Sequence, residues 1–273
     1  MKKIGILFLG FISAFSFSQN TRFVYQVSMK TDSTAAPKIE NAYLDISTEK
    51  SIFYGEKRMK RDSTIRQAME TRNFNFDRNS MEQFRTAITY SIEKNHATKT
   101  ISYKDRIARD QYWYDEDRTF NWKILPETVK IGEYETQKAE TTFAGRKWFA
   151  WFTQDLPFID GPYKFSGLPG LIVKVEDEKG DYSFDLKETK KIAELPNFES
   201  RFGNNIKVKR SEFLKQQEKF NKDPMSFFQN QGGGFAMRMG GNQNSQNEAE
   251  RRKMMEERLK EEAKANNNPL EKN

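Results

Sequence analysis

The sequence predicts a mainly β chain: an antiparallel meander sheet able to curve into a half-barrel, followed by a short C-terminal helix and a disordered or helical tail. Three observations carry this prediction. Apolar and polar residues alternate with a period of two over many short runs. The aromatic content is high, with 23 Phe, 10 Tyr and 4 Trp, and such residues favour pleated, half-buried surfaces. Polar stretches separate the runs, as the connections of a meander require.

Taken in order, Phe23, Tyr25, Val27 and Met29 share one side of a strand over Arg22 to Lys30, with mostly polar neighbours on the other. The same period returns at Ala42, Leu44 and Ile46, around Ile52 to Tyr54, and at Ile101 and Tyr103. Tyr112 to Tyr114 and Trp122 to Ile124 add shorter aromatic candidates. The clearest hairpin spans Leu171 to Lys187. Leu171, Val173 and Val175 alternate with Ile172, Lys174 and Glu176, a loop at Asp177 to Asp181 contains Gly180, and Tyr182, Phe184 and Leu186 follow the same rule. Ser211 can then cap a helix carrying Phe213, Leu214 and Phe220, which Asp223-Pro224 would stop. Asn230 to Asn247 is rich in Gly, Gln and Asn, too poor in apolar area to offset chain entropy. Glu248 to Lys264 has helical charge pairs such as Glu256 with Lys260, so residues 230–273 read as a disordered linker and a charged, helical tail.

The first residues have another role. Lys2 and Lys3 precede a run from Ile4 to Phe17 with almost no polar side chain, and Ser16 and Ser18 fit a cleavage site before Gln19. That is the layout of a secretory signal peptide over residues 1–18, too short for a membrane span of about 20 apolar residues. Cysteine is absent, so the chain offers no disulfide, no thiolate nucleophile and no lipidated cysteine. The expected location is periplasmic or secreted, without a lipid anchor. The formal charge of +7 falls by two on loss of Lys2 and Lys3. Basic residues are scattered among nearly as many acidic ones, so no nucleic-acid partner is expected.

Gly145 to Ile172 reads GRKWFAWFTQDLPFIDGPYKFSGLPGLI. Trp148, Ala150 and Phe152 share one face of a strand and Phe149, Trp151 and Thr153 the other, so a strand covered on both sides is expected. Gly161 and Pro162 turn the chain, and Gly167, Leu168, Pro169 and Gly170 lead into the hairpin through Leu171 and Ile172. On these residues the chain resembles the GLPGLI family, also described as Porph_ging, exported proteins of Bacteroidetes. Trp151, Asp155, Pro157, Gly161, Pro162 and Phe165 stand in order before the six-residue motif, and Asn268-Pro269-Leu270-Glu271 ends the chain in the same manner. The resemblance covers about Arg22 to Phe220 and implies a β-rich domain over residues 19–229, export, and a cell with a periplasm and outer membrane. It implies no activity.

The available chemistry is sparse. His96 is the sole histidine, in a polar loop, which weighs against a Ser-His-Asp arrangement and against zinc. An exposed histidine is expected there. Asp155 and Asp160 flank Leu156 to Ile159 beside two tryptophans, where a sugar ring or a calcium ion could sit, although the spacing is not that of a calcium loop. The cluster Asp115, Glu116, Asp117 reads as turn acceptors or solvated charges. No catalytic residue, metal or cofactor is assigned. The expected function is a non-enzymatic domain whose aromatic face binds an envelope lipid, a peptide or an outer-membrane protein, with Trp148, Trp151, Asp155, Asp160 and Tyr163 as candidate binding residues. A carboxylate-dependent glycan hydrolase is the alternative. Gly161, Pro162 and Gly167 to Ile172 are expected to serve as tightly specified turns. Whether Trp148, Trp151 and Tyr163 border a cavity or fill a core separates a ligand site from a structural one.

Overall fold

The computed structural model describes residues 20–73, 83–198, 203–224, 226–227 and 245–272. The expected signal peptide and residues 230–244 of the expected linker lie outside them. Among the described residues stand β1 (Asn20–Met29), β2 (Lys38–Ile46), β3 (Lys50–Gly55), α1 (Glu56–Thr71), β4 (Ser91–Asn95), β5 (Ile101–Ile107) and β6 (Asp110–Asp115). Then come β7 (Lys123–Ile131), β8 (Tyr134–Phe143), β9 (Arg146–Thr153), β10 (Leu171–Asp177), β11 (Tyr182–Ile192) and β12 (Asn205–Lys207). Two helices follow, α2 (Arg210–Lys222) and α3 (Ser245–Lys264).

The strands form one 12-stranded open sheet in the order β12-β6-β5-β4-β3-β2-β1-β11-β10-β9-β8-β7. Pairing is antiparallel except where β12 runs parallel to β6. The sheet is two meanders joined along β1 and β11, where Val27 faces Phe184. The expected mainly β class is therefore correct.

Topology shows that this sheet is deeply curved. Strands β6 and β7 stand ten strand spacings apart, about 48 Å in a flat sheet. Yet the eight residue steps from Asp115 to Lys123 that join them reach at most about 28 Å. The two arms must curl toward each other. Ring contacts agree: Phe53 on β3 and Phe184 on β11 are three spacings apart in the sheet order, about 14 Å if flat, but their rings lie 6.1 Å apart. Bulges at Val24/Tyr25 and between Ile172 and Lys174 supply local bending.

The alternation sorts residues as read from the sequence. Phe23, Tyr25, Val27, Leu44, Phe53, Ile92, Trp148, Ala150, Phe152, Val175 and Phe184 fill the concave face. Val24, Tyr43, Ile52 and Tyr54 form a smaller convex cluster beneath Met59 of α1 and Phe198. There Arg22 forks onto Asp45 at 2.8 Å with Nε and Nη2.

Two local expectations need correction. Ser211 lies inside α2, whose start is organised by Glu212 accepting from the Lys209 N–H at 3.0 Å. The second face of β9 is not covered by another layer: Phe149 and Trp151 are half-buried. The stems of lysines on the flanking strands cover them instead, with Lys174 Nζ 5.0 Å and Lys138 Nζ 5.6 Å from the Trp151 ring. Among the described residues no helix is long and apolar enough to cross a membrane.

Candidate functional site in the concave face

Three stretches of chain enter the concave face: residues 116–122 between the arms, residues 154–170 between β9 and β10, and residues 265–272 at the C-terminus. Each is held there by a buried cation, because backbone carbonyls and carboxylates taken from water must find donors.

Lys94 on β4 holds the second stretch. Its ammonium donates to Asp160 Oδ1 at 2.5 Å, to the Gly161 carbonyl at 2.6 Å and to the Phe165 carbonyl at 3.0 Å. All three ammonium donors are thereby used. Burial pushes the Asp160 carboxyl up, but the charge of Lys94 and the His96 ring outweigh it and hold the group below the usual range. His96 Nε2 lies 3.7 Å from Asp160 Oδ2. The expected exposed histidine is thus half-buried over a carboxylate, which raises its own pKa. A pocket of about 290 Å³ opens beside it, lined by Ser47, Thr48, His96, Lys99, Phe158 and Asp160 among others, at the small end of ligand pockets of about 300–1,000 Å³.

Lys164 anchors the first and third stretches together. Its side chain is 0% exposed, and Nζ donates to Glu116 at 2.6 Å, Glu271 at 2.6 Å and the Tyr114 hydroxyl at 3.0 Å. Arg118 closes the ring by donating to both Glu116 and Glu271. Burial alone would raise Glu116; the Arg118 hydrogen bond and the Lys164 charge bring it to about 2. Glu116 is therefore a buried ion partner, not the solvated loop charge expected of it, while Asp115 and Asp117 pair at the surface with Lys207 and Arg210.

Arg146, at the start of β9, holds the third stretch. Its guanidinium donates to Asp177 at the end of β10 and Asp181 in the loop that follows, and to Asn268 Oδ1 at 2.7 Å, the Pro269 carbonyl at 2.8 Å and the Leu270 carbonyl at 3.0 Å in the tail.

The candidate residues are distributed as follows. Trp148 and Tyr163 lie in the closed core, where Trp148 donates to the Phe143 carbonyl and packs edge-on against Phe165 at 4.8 Å. Tyr163 takes a left-handed φ of 53°, a strained position for a bulky residue, and its hydroxyl donates to Glu271 at 2.6 Å. Trp151 lies on the opposite face, Asp155 in an exposed turn, and Asp160 under Lys94. The structure thus brings Trp148 and Tyr163 into one core and leaves Trp151 and Asp155 apart from it. Within the GLPGLI segment, Gly161, Pro162, Leu168, Gly170, Leu171 and Ile172 are buried, whereas Gly167 and Pro169 face solvent. Gly170 has φ of 150°, and a Cβ there would stand 2.0 Å from the Thr153 carbonyl oxygen, so only glycine lets the loop re-enter the sheet.

The sequence does not mark Lys94, Arg146, Lys164 or Arg118 as site residues, and Glu271 enters there only within the tail that resembles the GLPGLI family. One signal was present: Lys164 interrupts an aromatic run between Tyr163 and Phe165, a position where a charge is either solvated or buried with partners.

Comparison with known proteins bears on this same stretch. The family model described as "Protein of unknown function (Porph_ging)" matches residues 141–174. That match bears out the resemblance to the GLPGLI family. It covers β9, the inserted loop and most of β10, the part of the GLPGLI segment that contains Arg146, Asp160 and Lys164. Two structures of PNGF-II, in P21 and C2 space groups, align with TM-scores of 0.51 and 0.52 at 18% and 17% identity. They cover 72% of this chain but only 33% and 32% of PNGF-II, so the chain spans about a third of that protein's length and the likeness shows fold alone. The LolA superfamily protein NE2245 from Nitrosomonas europaea aligns over 66% of this chain and 88% of its own at 10% identity, with a TM-score of 0.28 that carries no argument. No curated protein matches the chain.

Proposed function

We propose that this chain is a non-enzymatic binding domain that works, after export, in the cell envelope, and that it binds polypeptide. One observation carries the reading: the concave face already holds a non-helical peptide segment, residues 267–272, by contacts to backbone carbonyls and side chains from buried cations. Backbone capture of this kind suits a peptide ligand, whose amide groups repeat, better than an acyl chain, which offers none. The aromatic side chains that would border a lipid cavity, Trp148, Tyr163 and Phe165, are instead packed against one another and against Phe184. Asp160 and Asp155, the pair a glycan hydrolase would need, are divided between a buried ion pair and an exposed turn.

The test is a photoreactive residue placed at Thr31, whose carbonyl accepts from the Asn268 N–H at the groove's rim. Irradiated in the producing cell, the protein is expected to give polypeptide adducts, within the chain or to another. Lipid or glycan adducts without polypeptide adducts would overturn the reading.

A further inference from the structure

The C-terminal residues are held in more detail than the closure of a domain requires. Asn267 Oδ1 accepts from the Ser33 N–H at 2.9 Å, and its Nδ2 donates to Asp32 at 3.0 Å. Asn268 has both ends of its amide read: Oδ1 accepts from Arg146, and Nδ2 donates to the Lys30 carbonyl at 2.7 Å. An aspartate there would turn a carboxylate toward that carbonyl, so the site distinguishes Asn from Asp. The backbone of Asn268 donates to the Thr31 carbonyl at 2.9 Å and accepts from the Tyr182 hydroxyl at 2.6 Å. Pro269 fixes its own φ and offers its carbonyl to Arg146. Leu270 packs on the apolar core. Glu271 accepts from Tyr163, Lys164 and Arg118, and the Lys272 N–H donates to the Ala144 carbonyl at 2.8 Å. A Cβ on Gly145 would stand 2.8 Å from Lys272 Cβ, so the passage is cut to the width of a peptide backbone.

Each of the three cations also has partners outside the tail. Arg146 retains Asp177 and Asp181, Lys164 retains Glu116 and Tyr114, and Arg118 retains Glu116, all from the sheet domain. Each cation therefore has a resident carboxylate and further donors directed at the tail. Such preorganisation is what lets a receptor bind without first paying to order itself. The tail, in turn, reaches the groove through residues 228–264 rather than from an adjoining strand.

From this geometry we infer that Arg146, Lys164, Arg118 and the carbonyls of Lys30, Thr31 and Ala144 form a recognition site for an Asn-Pro-Leu-Glu peptide. The occupant is the chain's own tail, residues 267–272. The inference rests on the peptide-binding reading above and names the ligand it left open.

A tethered occupant competes at an effective concentration on the order of millimolar, so the test weakens the tail in the full chain by Asn268→Ala with Glu271→Gln. A fluorescent synthetic peptide of residues 265–272 is then titrated and its anisotropy followed. Saturable binding is expected, weakened at least about tenfold when the peptide carries Glu271→Gln, which removes a charge from three donors. Absence of binding by a variant whose circular dichroism and thermal transition show a folded sheet would overturn the inference. Equal binding of both peptides would do the same. Should the double variant not fold, wild-type protein given a protease site between Asn230 and Asn244 is cut after folding. The released fragment is expected to co-elute with the sheet domain and to be displaced by excess peptide; a fragment that leaves at once, or that no excess displaces, contradicts the site. Polypeptide adducts at Thr31 together with no selectivity for this peptide would sink the inference while leaving the broader reading standing.

Discussion

Trp148 and Trp151 stand three residues apart on the same strand and live in different solvents. Trp148 points into the concave face, is 0% exposed and has its indole N–H satisfied by the Phe143 carbonyl. Trp151 points outward from β9, level with Lys138 on β8 and Lys174 on β10, whose ammonium groups stand 5.6 Å and 5.0 Å from its ring. Strand geometry dictates which side each residue takes. What lies on each side is decided elsewhere in the chain, by whether distant segments arrive to cover it. Among the described residues, three such segments cover the concave face and none covers the convex side of β9.

The largest effect that sharpens this contrast is Trp148→Ala. It is expected to cost about 3–5 kcal/mol, since a cavity opens in a close-packed aromatic core, as read from urea unfolding midpoints; a cost under about 1 kcal/mol would mean the face is loosely filled. Next is Asp160→Asn, which leaves the Lys94 ammonium buried without its counter-charge. A loss of about 3 kcal/mol or more is expected in the same assay. The inserted loop should then become sensitive to limited proteolysis between Asp155 and Gly170, while the convex side of β9 is unaffected.

A third effect depends on pH. Glu116 has its folded pKa lowered to about 2 from 4.5 by Arg118 and Lys164 acting against burial, and Glu271 is lowered by the same two cations. Lowered carboxylate values mean that their contribution is present above the unfolded pKa and is lost as pH falls through the folded one. Stability should therefore decline between about pH 4.5 and about pH 2. Replacing Glu116 by Gln should flatten that part of the profile in a pH series of thermal melts. An unchanged slope would show that the ring of charges is solvated. The smallest effect is Trp151→Ala, expected to change stability by less than about 1 kcal/mol because a half-buried ring between solvated lysines loses little on truncation.

The same contrast explains what was legible in the sequence. Alternation in Arg22 to Lys30 and in Leu171 to Lys187 located β1, β10 and β11, because a period of two is a local property that the sheet preserves. Helix α1 left no comparable mark: among its residues only Arg58 and Ala68 are buried, so it has almost no apolar stripe to detect. It holds its shape through pairs such as Glu56 with Lys60 at 2.8 Å and good intrinsic helix formers. The groove was invisible for a different reason. Arg146 meets Leu270 across 124 positions and Lys164 meets Glu271 across 107. A tail reading Asn-Asn-Asn-Pro-Leu-Glu contains one apolar residue, so nothing local marks it as buried. Glu116 and His96 likewise look like loop charges until the fold sets Lys164 and Asp160 beside them.

Residues 267–272 occupy the concave face in the intact protein, and amide hydrogen exchange at Asn268 and Lys272 reads this directly. Their N–H groups donate to the Thr31 and Ala144 carbonyls, so both should exchange far more slowly than an unstructured C-terminus and lose that protection when excess peptide of residues 265–272 is added to the tail-weakened protein. Exchange of both amides at the unprotected rate in the wild-type chain would contradict it.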